Sequence, residues 1–182
     1  MDILIHLSRL PDSRRKQGLR YPMDKTMLLM LVGTLAGCKG YRDVARFCKR
    51  HEKYLSKVLD LKHGVPSHVS LTSIVDNIDL KAFEKILMDW GVSKMAVGST
   101  TPSVIAMDGK AIKSSVIKGL SHQQNFVSMV NAFCVSQGLV LGSISYENKY
   151  ESEAVLVRQM IEQLGIKGAL YTLDANHDSK KH

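Results

Sequence analysis

The first half of the chain spaces its apolar residues for helices, and the second half changes to short runs of strand type. Ile3, Leu4, Leu7 and Leu10 predict a short amphipathic helix ended by Pro11. A second, strongly apolar helix is predicted over TMLLMLVGTLAG, with Asp24 as its cap and Gly37 as its stop. From Tyr41 to Leu59, Val44, Phe47, Cys48, Tyr54, Leu55, Val58 and Leu59 recur at helical spacing between basic residues. Pro66-Ser67 breaks this pattern, and two further helices are predicted over Ser70–Ile78 and Leu80–Trp90. Beyond it, SVIAM (103–107) reads as a strand ending at Asp108. Asn125–Val135 and Leu139–Tyr146 read as a hairpin around Ser-Gln-Gly. Glu151–Leu164 reads as an amphipathic helix with Val155, Leu156, Met160, Ile161 and Leu164 on one side, and ALYTL (169–173) as a last strand ending at Asp174.

This order, strand, hairpin, helix, strand, allows the helix to carry the chain back so that the last strand lies parallel to an earlier one. The fold class expected is α+β: a helical N-terminal domain over 1–97, then a mixed sheet with a crossover helix over 98–182. The small, polar stretch VGSTTPS serves as the link.

Charge separates the same halves. The net charge is +8 over 182 residues. Between Arg9 and Lys62 there are 14 Lys/Arg against 5 Asp/Glu, whereas Gly98–His182 holds 8 against 7. A basic helical half points to a polyanion, nucleic acid first and an acidic membrane surface second. The candidate DNA contacts are Arg14, Arg15, Lys16 and Arg20 in the basic loop PDSRRKQGLRYP, and Lys110 just past Asp108, with Lys113 near it. No apolar run is long enough to span a bilayer, and the basic cluster follows the first apolar stretch, the reverse of an export signal. Cys38, Cys48 and Cys134 are too far apart for a CxxC site and suit a reducing cytoplasm.

Asp108 and Asp174 carry the candidate chemistry. Each ends a predicted strand, where aspartate also serves as an ordinary turn residue. If the last strand pairs in parallel with the first, both carboxylates emerge at one sheet edge and repel unless a cation lies between them. Magnesium or manganese suits such oxygen ligands, and Gly109 would admit a nucleic-acid backbone. His68 reads as a helix-start residue and His177 as an exposed tail histidine.

MDGK after an apolar strand, the hairpin with GLVLG, KYESEA and KGALYTLDA together resemble the DDE transposases related to the H-repeat-associated proteins of bacteria. PDSRRKQGLRYP, LAGCKGYRDVARF and GVPSHVSLTSI resemble the helical segment before the catalytic domain of that family. The resemblance implies an RNase H-like domain, here partial, and Mg2+- or Mn2+-dependent DNA cleavage and transfer at insertion-sequence ends. It implies a bacterial cytoplasmic protein with Asp108 as the first acid and Asp174 as the second. The family's third acid, a glutamate on a later helix, lies beyond His182, so the 182 residues are expected to be an inactive fragment. An open sheet face and strand edge would favour self-association. Two alternatives stand beside this: a DNA-binding remnant needing only the basic half, and a small RNase H-like nuclease in which Glu153 completes the site. Acids in a first turn, such as Glu151 and Glu153, also serve simply to complement the helix dipole.

Overall fold

A computed structural model describes residues 2–15, 19–95, 103–117, 125–147 and 152–173. The chain divides into two compact units, residues 1–86 and 87–182. The predicted linker falls almost wholly on 96–102, outside the described residues.

The first unit is helical. It comprises α1 (Asp2–Leu7), α2 (Met23–Leu35), α3 (Tyr41–Arg50), α4 (Glu52–Val58), α5 (His68–Val75) and the start of α6 (Leu80–Ser93). Apolar faces of these helices meet around Leu7, Leu29, Val44, Cys48 and Leu71, all at most 1% exposed. Gly33 lets α2 and α3 close up, since a Cβ there would fall 3.0 Å from both Val44 methyls. Two expectations change in detail. Asp24 is not the cap of α2: Pro22, fixed near φ −58°, occupies that place, so Asp24 lies one residue inside the first turn. There its charge still complements the helix dipole. The Tyr41–Leu59 pattern is two helices with a break at His51. The break re-phases the second, leaving Tyr54 69% and Val58 50% exposed.

The second unit is a four-stranded mixed sheet, ordered β3-β2-β1-β4, covered on one face by helices. Its strands are β1 (Val104–Ile117), β2 (Asn125–Cys134), β3 (Leu139–Glu147) and β4 (Leu170–Thr172). The β2–β3 turn uses Gly138 at φ 64°. Helix α7 (Glu153–Leu164) ends on Gly165 at φ 60°, the left-handed stop that glycine supplies without strain. It lays Leu156, Val157, Met160 and Leu164 against Ile105, Met107, Val130, Ala132, Cys134 and Leu141. Met88 and Val92, late in α6, join the same core. Gly91 and Gly142 permit this approach: a Cβ at the first would overlap the Leu141 carbonyl, and one at the second would fall 2.9 Å from Met88 Cγ.

β4 returns parallel to β1, as the crossover reading requires, with Val104, Ile105 and Ala106 opposite Leu170, Tyr171 and Thr172. β1 itself differs from expectation. It does not stop at Asp108 but runs on to Ile117, because β2 is long enough to pair with it antiparallel from Cys134 back to Asn125. Asp108 is therefore a mid-strand residue, two positions past the last parallel pair.

Candidate metal centre

Alternation along β1 decides what Asp108 can meet. Ile105 and Met107 point into the core, which sends Asp108 and Lys110 to the opposite face, where both are exposed. In the antiparallel register Asp108 stands opposite Asn131, and Asn131 opposite Ser143. These three residues form a polar row across β1, β2 and β3. Ser143 Oγ donates to Asn131 Oδ1 at 2.6 Å, which fixes the amide beside the aspartate. The neighbouring row on that face, Ala106, Phe133 and Val140, is apolar, with Phe133 39% and Val140 59% exposed. The polar row thus borders an apolar one on this side, while on the other side Lys110, Met129 and Ser145 follow.

Sequence reasoning did not single out Asn131 or Ser143. The signal was present in asparagine, a residue strands disfavour, inside the apolar run of β2. Its meaning depends on register, which only the pairing of β1 with β2 supplies.

Glu153 approaches β1 from the covered side. It opens α7, and its carboxylate occupies the space over Gly109: a Cβ at that glycine would overlap the Glu153 carboxyl group. Gly109 therefore makes room for this carboxylate, next in sequence to Asp108. Tyr146, on the same side, has its phenol pushed above the usual range, chiefly by burial and further by the Glu153 charge, against a lowering hydrogen bond with Ser128.

Among the described residues, Asp108, Asn131 and Ser143 offer oxygen donors of the kind hard divalent cations prefer on one face, and Glu153 offers one on the other. No group of three or more His, Cys, Asp or Glu side chains gathers among the described residues. Asp174 lies outside the described residues, as do Lys16, Glu151, His177 and Asp178, and the side chain of Lys113.

The predicted DNA contacts divide. Arg15, Arg20 and Lys110 are exposed. Arg14 is not: its side chain is 7% exposed and braces the loop. Its Nε and Nη2 donate to the Asp12 carboxylate at 2.7 and 2.6 Å, and Nη2 also donates to the Tyr21 carbonyl at 3.0 Å. The guanidinium holds the Asp12 carboxyl below the usual carboxylate range, mainly through its hydrogen bond. His68 begins α5 behind the cap Ser67, whose Oγ accepts from Ser70 N at 3.2 Å. No described helix is long and apolar enough to cross a membrane.

Residues 4–91 match the family model described as DDE_Tnp_1-associated. Over 95% of its length the chain is 30% identical to "Putative transposase YncI" of Escherichia coli O157:H7, covering 43% of that protein. It is 27% identical, again over 95% of its length, to "H repeat-associated putative transposase YhhI" of Escherichia coli K12, of which it covers 44%. To the K12 "Putative transposase YncI" it is 29% identical, covering 68% of that relative. The chain thus spans less than half the length of the first two relatives. No solved structure matches it. The likeness runs from the first helices through the sheet and supports a transposase family member, with H repeat-associated putative transposases among the proteins the chain is similar to.

Proposed function

We propose that the sheet unit is the opening part of an RNase H-like catalytic domain for metal-dependent DNA cleavage and transfer, with Asp108 and Asp174 sharing divalent cations, Mg2+ or Mn2+. The observation that carries this is the parallel register of β4 on β1. Three consecutive pairs are in register, and that register, if carried two residues further, would set Asp174 opposite Asp108. Partners in a parallel ladder share a face, so both carboxylates would join the polar row that Asn131 and Ser143 continue. A mixed sheet completed through a crossover helix supports the RNase H-like reading.

Bound there, divalent ions supply Lewis-acid activation of an attacking oxygen and charge neutralisation at the leaving one. The chain's own residues do the rest. Asp108 presents an exposed carboxylate, Asn131 is held beside it by Ser143, and Lys110 offers a cation to a phosphate on the same face. DNA, at insertion-sequence ends, is the proposed substrate.

Glu153, the other acid the sequence raised, has its carboxylate over Gly109 on the covered face, opposite the face that carries Asp108. The alternative, a small RNase H-like nuclease in which Glu153 joins Asp108 and Asp174, would need that carboxylate to reach the other face.

Calorimetric titration of Mn2+ into the 182-residue chain tests both. Asp108→Asn and Asp174→Asn are each expected to weaken binding by roughly tenfold or more. Wild-type binding in both variants would overturn the proposal. Glu153→Gln discriminates between the readings: a comparable loss favours the nuclease, and unchanged affinity leaves Glu153 a helix-start residue.

A further inference from the structure

The helical unit carries two hollows that meet at one aromatic residue. The larger, of about 510 Å³, is lined by Tyr21, by Arg42, Arg46 and Lys49 of α3, and by Ser67 and His68 at the start of α5. The smaller, of about 350 Å³, has Tyr21 on its wall together with Arg20, Lys25, Lys62 and His63. Asp60 is the one acid among the described residues lining either hollow.

Sequence spacing explains the larger basic wall. Arg42, Arg46 and Lys49 follow one another at intervals of four and three, which stacks them on one stripe of α3 while Val44 and Cys48 face the core. All three are exposed. Arg46 is held by Asp43 and Lys49 by Glu52, the latter at 2.5 Å, with side-chain exposures of 78% and 72% for the two cations. Exposed pairs of this kind are weak, so either cation can turn to a phosphate at little cost. Arg42 has no ion pair among the described residues. The Arg20 guanidinium lies 5.7 Å from the centre of the Tyr21 ring, adding a cation at the junction.

We propose that these joined hollows form a nucleic-acid seat, in which Arg42, Arg46 and Lys49 take backbone phosphates and Tyr21 gives a sugar or base an aromatic surface. The seat is separate from the loop cation Arg14, which the fold uses internally, and from the carboxylates of the sheet unit. It rests on the reading that DNA is this chain's partner, and it says where the helical unit would hold it. A membrane-binding face projects a broad apolar stripe, whereas here cations ring concave surfaces of nucleotide scale.

The test is fluorescence anisotropy of a short labelled DNA duplex with the 182-residue chain across a salt series. Arg42→Ala/Arg46→Ala is expected to lose roughly tenfold or more in affinity, with a salt slope shallower by about two, near one for each phosphate that is no longer neutralised. Arg42→Lys/Arg46→Lys should retain most of the binding and the slope. Lys81→Ala/Lys85→Ala, which removes two exposed cations of α6 outside the hollows, should change neither. Undiminished binding by the first variant, or an equal loss in the α6 variant, overturns the seat. So does tighter binding of the wild-type chain to phosphatidylserine vesicles than to DNA. Mn2+ titration of the Arg42→Ala/Arg46→Ala chain separates this from the metal-centre reading, because the seat can fail while cation binding stays at the wild-type level. Absence of any DNA binding by the wild-type chain would instead sink the DNA reading itself.

Discussion

Single residues in this chain owe their roles to what stands opposite them. Arg14 shows this most clearly. In the sequence it is one cation in a basic loop; in the fold it closes on Asp12 and on the Tyr21 carbonyl. Because Asp12 is held below the usual carboxylate range, its contribution to stability is present above the ordinary aspartate pKa of about 3.9 and fades as pH falls through the lower folded value. Urea unfolding of Asp12→Asn should therefore show a deficit of up to about 1 kcal/mol near neutrality that closes in strong acid. A deficit independent of pH would mean that the pair does not set it. Asp108 was legible as a candidate because an acid directly after an apolar run is conspicuous. Asn131 and Ser143 were not, since a polar residue in a strand acquires partners only through cross-strand register. The exposed stripe of α3 was equally hidden: its cations were counted in the basic half, but the hollow they line depends on where Tyr21 and Pro66 come to rest.

Among the elements, long periodic segments were readable and their phasing was not. The helices α1, α2, α5, α6 and α7 lie near their predicted places, because capping, glycine and proline signals agree with apolar spacing there. Val155 was assigned to the buried side of α7, yet it is 46% exposed while Val157 is buried. Leu156, Val157, Met160 and Leu164 keep helical spacing on the buried face, and Val155 falls off that face. The stop predicted for β1 at Asp108 failed for a related reason, since β2 pairs with β1 beyond that point. Glycines at crossings are informative at this scale. Gly91→Ala gains about 1 kcal/mol in helix propensity. Against this, overpacking costs about 1–3 kcal/mol, toward the upper end here because the obstacle is the Leu141 backbone. A net loss of about 2 kcal/mol is expected by chemical denaturation, while Gly40→Ala, which meets nothing within 4 Å, should cost less, about 1 kcal/mol at most, through its place as the N-cap of α3. Equal stabilities would show that α6 does not press on β3 as described.

The molecule as a whole joins a basic helical unit to a sheet unit whose order and register decide what stands near Asp108. Charge asymmetry was legible from residue counts, and the crossover from element order, because both follow from local composition and chain connectivity. The shared use of Asp108 and Asp174 is a tertiary question, resting on a three-pair parallel ladder that ends two residues short of them. Crystals of the 182-residue chain grown with Mn2+ address it directly, through anomalous scattering from the metal. The account predicts a manganese peak with an oxygen of Asp108 and an oxygen of Asp174 each about 2.1 Å away. Carboxylates on opposite edges of the sheet, or manganese bound elsewhere with neither aspartate as a ligand, would contradict it.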